Sequence, residues 1–134
     1  MKILIAEDEI HIITLLEFTL EMAGYQVCTA QNGLEVLEKV HSERPDLILL
    51  DIKMPELNGW QICEKLKSEE KTNKIPIIIV TAFAQKEAKD RSLELGADDF
   101  ISKPFDGKAL LECIQKVMRK RDEGGQAHLR GKRN

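Results

Sequence analysis

The chain has 134 residues, of which 43% are hydrophobic and 32% charged, with a net charge of −3. That length accommodates one domain with a full core and is too short for two ordinary ones, and the composition excludes global disorder. The most apolar stretches, Leu47–Leu50 and residues 75–80, fall far short of the roughly 20 residues that span a bilayer, and the opening turns acidic too early for a signal peptide, so the chain reads as cytoplasmic, with no membrane contact.

In chain order, Lys2–Ala6 is a short apolar run that ends in acid and predicts a buried strand. Residues 10–23 repeat apolar side chains at Ile13, Leu16, Leu20 and Ala23, a helical spacing, and Gly24 stops them. Residues 25–30 are rich in strand formers. Asn32 can cap a helix through Val40, with Leu34, Leu37 and Val40 on one face. Pro45-Asp46 breaks it, and Leu47–Leu50 is a third strand. Residues 53–59 form a loop marked by Pro55, Asn58 and Gly59. Helical spacing returns over 60–68 with Ile62, Cys63 and Leu66, residues 75–81 form a fourth strand, and a helix over 85–95 stops at Gly96. Residues 98–102 are the fifth strand, and Asp106 starts a last helix with Leu110, Leu111, Ile114 and Val117 inward.

Strands separated by single helices need crossovers, so they pair in parallel with helices on both faces. Right-handed crossovers leave a few topologies, the flavodoxin-like order 2-1-3-4-5 among them. In such sheets a ligand sits beyond the carboxyl ends of the strands, at the switch point. Those ends carry Glu7-Asp8-Glu9, Asp51, Thr81 and Lys103-Pro104. Gathered carboxylates repel one another unless a cation compensates. Oxygen donors with open water positions suit Mg2+ or Mn2+, and such ions commonly handle phosphate. A carboxylate can act as nucleophile towards phosphorus, and Lys103 and Thr81 can meet phosphoryl oxygens. The constellation therefore suggests phosphoryl transfer onto an aspartate. Taken singly, each residue has a plainer reading, as a cap, a turn residue or a solvated lysine; the argument rests on their sharing one rim.

The segments 3–9 (ILIAEDE), 49–55 (LLDIKMP) with Asn58-Gly59, 80–82 (VTA) and 96–105 (GADDFISKPF) together resemble the receiver domain of the response regulators of two-component signalling, over residues 2–118. The resemblance implies an α/β fold: a flavodoxin-like (βα)5 three-layer sandwich on a five-stranded parallel sheet of order 2-1-3-4-5. Asp51 would take a phosphoryl group from a phosphohistidine on a histidine kinase or a histidine phosphotransfer protein. Asp8, Asp51 and the backbone carbonyl of Lys53 would ligate Mg2+ (or Mn2+) directly, and Glu7 through a metal-bound water. Thr81 and Lys103 would bind phosphoryl oxygens, Phe100 would turn inward when Thr81 moves, and the Lys103–Pro104 peptide would be cis. The family more often has Asp where this chain has Glu7, and the longer arm should alter metal affinity without abolishing it. Lys53 and Phe83 would flank the path of the hydrolytic water and lengthen the phosphoryl lifetime.

Helix 1 carries more apolar surface than one inward face uses. Ile12 and Leu15, completed by Met54, Pro104 and Phe105, form a candidate docking patch for the kinase, and the surface of the fourth helix, fifth strand and fifth helix is a candidate for a downstream protein. Trp60 reads as packing. Three cysteines without a close pair argue against disulfides and zinc. Residues 119–134 hold six basic side chains against Asp122 and Glu123, a local +4 that leaves the remainder at −7. This segment reads as a disordered basic tail after a receiver domain at 1–118, and the acidic body argues against direct nucleic-acid binding. The expected function is a signalling phosphoacceptor, not an enzyme, that assists its own phosphorylation and dephosphorylation and relays the signal by conformational change or onward transfer. It would be a stand-alone regulator or a receiver excised from a longer one with a DNA-binding or enzymatic output domain. A small aspartyl-phosphate phosphohydrolase would want a second aspartate where Lys53 stands. A flavodoxin-like cofactor binder would want a Ser/Thr/Gly-rich loop where Glu7-Asp8-Glu9 stands. The intact set Asp8, Asp51, Thr81 and Lys103 argues against an inert pseudo-receiver.

Overall fold

The computed structural model describes the backbone of residues 1–83 and 85–133 and the side chains of residues 1–83 and 85–122. Strands and helices alternate: β1 (Lys2–Ala6), α1 (Ile10–Met22), β2 (Gln26–Ala30), α2 (Gly33–Glu43), β3 (Leu47–Leu50), α3 (Gly59–Ser68), β4 (Ile77–Thr81), α4 (Lys86–Glu94), β5 (Asp99–Ser102) and α5 (Gly107–Arg133). The strands form one parallel sheet in the order β2-β1-β3-β4-β5.

Side chains alternate across a strand, so each central strand feeds two cores. Leu4, Ile48, Leu50, Ile77 and Ile79 pack with Val36, Val40, Ile62, Cys63, Leu66 and Ala88 from α2, α3 and α4. Ile3, Ile5, Leu47, Leu49, Ile78 and Val80 pack with Leu16, Leu20, Leu110, Ile114 and Val117 from α1 and α5. β1, β3 and β4 are buried on both faces, which is why they read as continuous apolar runs. Burying one such Leu or Ile side chain contributes about 2 kcal/mol, and the two clusters pin the sheet from both sides.

Local signals set the helix starts. Asn32 Oδ1 accepts the backbone N–H of Glu35 at 2.8 Å. Asn58 and Gln61 form a reciprocal capping box at 2.9 Å in each direction. Gly24 ends the first helical unit at φ +93°, a conformation that favours glycine.

Two expectations change. The inward face of α2 is Gly33, Val36 and Val40, with Leu34 57% exposed. A Cβ at Gly33 would lie 2.5 Å from Leu57 Cβ, so Gly33 is the residue that approaches the neighbouring loop, and that contact rotates the apolar stripe away from Leu34. The last helix also continues through Arg133 and takes in most of the segment expected to be a disordered tail. Arg119, Lys120 and Arg121 extend it because they are good helix formers; the side chains of residues 123–134 lie outside the described residues. Among the described residues, no helix is long and apolar enough to cross a membrane.

Cys28, Cys63 and Cys113 are free thiols. Burial pushes the Cys63 thiol up to about 11. Burial, then the bond to Asp99 Oδ2 at 3.2 Å, pushes Cys113 up to about 12. Neither is poised as a nucleophile.

Candidate phosphoacceptor and metal site

The carboxyl ends of β1 and β3 lie side by side, because Ala6 pairs with Leu50. The next residues, Glu7 and Asp51, are therefore neighbours, and Asp51 N–H donates to the carbonyl of Ala6 at 3.0 Å. One carboxylate oxygen from each of Glu7, Asp8 and Asp51 lies within 4.8 Å of the others. Glu7 and Asp51 are buried, at 2% and 7% exposure, while Asp8 faces solvent.

Lys103 follows β5 and reaches across the rim. Its Nζ bonds Asp51 Oδ2 at 2.8 Å and makes a second, short contact to Glu7 Oε1. The other Glu7 oxygen accepts the backbone N–H groups of Asp8 and Glu9 at 3.0 and 3.1 Å. Asp51 Oδ1 accepts from Lys53 N–H at 3.3 Å. The Lys103–Pro104 peptide is cis.

The site is short of positive charge. Burial raises the Glu7 carboxyl above its ordinary range, outweighing the opposing pull of Lys103 and the Glu9 amide, and the nearby Asp51 charge adds to the rise. For Lys103, burial favours the neutral amine, but the bonds to Asp51 and Glu7 outweigh it and keep the ammonium charged. Three carboxylates against one ammonium leave a surplus of negative charge. Hard oxygen donors with one ligand at the solvent face suit a small divalent cation, so the residues present fit Mg2+ or Mn2+.

The other anticipated residues fall around this centre. Thr81 ends β4, fully buried, and its Oγ1 accepts the backbone N–H of Phe83 at 3.2 Å. Phe100 pairs with Ile79 across the β4–β5 ladder and is half-buried against the α2–α3–α4 core. The Lys53 ammonium lies 5.1 Å from the centroid of the Phe83 ring. A cavity of about 470 Å3 beside the carboxylates is lined by Asp8, Ile52, Lys53, Met54, Pro55, Asn58, Trp60 and Phe83. A larger cleft, about 710 Å3, lies at the other end of the sheet among Pro45, Pro76 and Lys120, and none of the site residues lines it.

The apolar patch is only partly as expected. Leu15 is 48% exposed, Pro104 is exposed, and Ile12 and Phe105 are half-buried against the α1–α5 core. Met54, expected in the patch, is buried at 9% exposure in the opposite core with Ile52 and Ile62. The loop after β3 folds back over the α2–α3 side, so Met54 cannot join a surface built on α1. Spacing alone passed over Phe18 and Met22, 67% and 74% exposed; with Leu15 they stand at helical intervals of three and four on the outer face of α1. It also missed the direct Glu7–Lys103 pair, which joins residues 96 positions apart.

The family model described as "Response regulator receiver domain" matches residues 3–115. Among curated relatives, the alkaline phosphatase synthesis transcriptional regulatory protein PhoP of Bacillus subtilis is 40% identical over 119 residues, covering 89% of this chain and 49% of the relative. The DNA-binding dual master transcriptional regulator RpaA of Synechocystis is 36% identical over 126 residues, covering 94% of this chain and 52% of the relative. The chain thus spans about half the length of these relatives. A CheY-like receiver domain protein from Methanospirillum hungatei superposes with a TM-score of 0.85 at 33% identity, covering 92% of this chain and 97% of that one.

Proposed function

The chain belongs to the response regulator receiver domain family of two-component signal transduction, and from that premise we propose that it accepts a phosphoryl group on Asp51 with Mg2+ or Mn2+ bound. The observation that supports this most is the convergence of the Glu7, Asp8 and Asp51 carboxylates, with the Lys103 ammonium bonded to Glu7 and Asp51. An Asp51 oxygen attacks phosphorus, the N–P bond of a donor phosphohistidine breaks, and the imidazole leaves with a proton. Lys103, already on Asp51 Oδ2, stays beside the carboxylate and neutralises an equatorial oxygen as charge develops. A bound divalent ion would supply the remaining positive charge between the carboxylates and the phosphoryl group. Asp8, Asp51 and the Lys53 carbonyl would hold it, and Glu7 would act through a water. Thr81 Oγ1 gives up the Phe83 amide and turns to a phosphoryl oxygen. Phe100 follows into the vacated space, and the surface of α4, β5 and α5 shifts between two populations.

The test is intact mass after incubation with a small phosphoryl donor. A single phosphoryl addition is expected in wild type with Mg2+, and none without metal or in Asp51→Asn. Addition that ignores both the metal and that substitution would refute the assignment.

Lys53 and Phe83 are proposed to slow hydrolysis by crowding the water path. The Lys53→Ala, Phe83→Ala double variant is expected to lose its phosphoryl group about tenfold faster, an effect of about 1.4 kcal/mol on the barrier. An unchanged half-life would remove them from this role.

Leu15, Ile12, Pro104 and Phe105 are proposed to dock a histidine kinase or histidine phosphotransfer protein. Leu15→Ala is expected to slow transfer from the kinase about tenfold while leaving phosphorylation by a small donor unchanged. Equal rates with the kinase would contradict the docking role. The α4–β5–α5 face is proposed for the downstream protein. The relatives named as transcriptional regulators support reading such a receiver as the input half of a longer regulator.

A further inference from the structure

Trp60, the single tryptophan, sits between the phosphoryl site and α4 and belongs to neither. Its indole ring lies 6.0 Å from Phe83, centroid to centroid, with the planes tilted by 60°. That tilted arrangement lies within the separation at which aromatic pairs attract. On the far side, the indole N–H donates to Ser92 Oγ at 3.0 Å, and Ser92 is fully buried and bonded onward to the carbonyl of Ala88 at 2.8 Å. The Arg91 guanidinium lies 5.2 Å from the same ring. The result is a row of four side chains: Arg91, Trp60, Phe83 and Lys53.

Phe83 has two anchors. One is its backbone N–H to Thr81 Oγ1; the other is its ring against Trp60. If Thr81 turns to a phosphoryl oxygen, the first anchor is lost and the ring is held by its packing, against Trp60 and the α2–α3–α4 core. Lys53 in turn stays near the ring only while Phe83 does. Trp60, Phe83 and Lys53 all line the cavity beside Asp8.

We infer that Trp60 is a positioning residue for the phosphoryl site: held by Ser92 and Arg91 on α4, it keeps Phe83, and through it Lys53, over the cavity by which water reaches phosphorylated Asp51. This rests on the phosphoacceptor reading above. In the step it controls, a water oxygen bonds to phosphorus and the bond from phosphorus to Asp51 breaks. Inorganic phosphate leaves, and the water proton passes to solvent. Trp60 touches none of these atoms and acts only through Phe83.

The experiment uses the full chain, phosphorylated by acetyl phosphate with Mg2+, freed of donor, and followed by intact mass. Trp60→Ala is expected to shorten the phosphoryl half-life about fivefold, the loss of one aromatic pair. Trp60→Phe, which leaves a smaller ring beside Phe83 and loses the Ser92 bond, should fall between wild type and Trp60→Ala. On a Phe83→Ala background, Trp60→Ala should have no further effect. A merely structural role would lower the melting temperature on both backgrounds without this dependence on Phe83. Should the alanine variant fail to fold, Trp60→Leu retains apolar volume and serves the same comparison. Wild type that is phosphorylated but keeps its half-life in the Trp60 variant, or shortens it equally without Phe83, overturns this inference alone. Wild type that takes no phosphoryl group overturns both it and the phosphoacceptor reading.

Discussion

Lys103→Met is expected to slow phosphorylation of Asp51 by about 100-fold or more, the cost of removing a preorganised charge from a developing phosphoryl anion. The ammonium bonds both buried carboxylates, so its removal leaves Glu7 and Asp51 facing each other without compensation. An unpaired buried charge is far more costly than the intact pair is favourable. The metal-free variant should therefore melt below wild type, and Mg2+ should raise its midpoint by more than it raises that of wild type. Lys103→Arg is not expected to restore the rate, because the planar guanidinium fork is longer and cannot replace a point charge in this space. Initial rates with a small donor, with thermal midpoints in and out of Mg2+, check both halves. A near-normal rate in Lys103→Met would show that the lysine is structural only.

Gly59→Ala is expected to cost about 3 kcal/mol, at the upper end of overpacking effects, and to lower the melting midpoint by roughly 10 °C. A Cβ there would lie 2.3 Å from the carbonyl oxygen of Asp51 and 2.8 Å from Ile52 Cα. Both are backbone atoms of the phosphoacceptor loop, so no flexible side chain can yield. Gly59 N–H also donates to Ile52 O at 2.7 Å. The loop must shift, and Asp51 with it, so phosphorylation should fall along with stability. Gly24→Ala is the control: nothing lies within 4 Å of its added Cβ, and only the left-handed backbone strain of about 1 kcal/mol remains. Gly59→Ala with the stability and rate of wild type would contradict the close-approach argument.

Strand order and the acidic rim were legible because both follow from short-range pattern. Apolar runs such as Leu47–Leu50 mark strands buried on both faces, and a parallel sheet brings their carboxyl ends to one edge. The inward face of α2 was not legible. Apolar residues stand at 34, 36, 37 and 40, so the 3.6-residue period fits more than one phase. The close approach of Gly33 to Leu57 selects the phase, and that is a tertiary contact. The burial of Met54 escaped for a similar reason: the path of the loop after β3 decides it, and spacing within the loop does not. The Glu7–Lys103 pair and the Trp60–Phe83 contact join residues far apart in sequence. They become visible only when β5 and the β4–α4 loop are placed against β1 and α3.

The central claim is that one particular carboxylate in this cluster takes a phosphoryl group to form an acyl phosphate. Reducing the phosphorylated protein with borohydride converts an aspartyl-phosphate to homoserine, and peptide mass mapping then reports its position. The account predicts homoserine at position 51 in protein treated with donor and Mg2+. Homoserine at position 8, reduction of Glu7 instead, or an unmodified chain would contradict it.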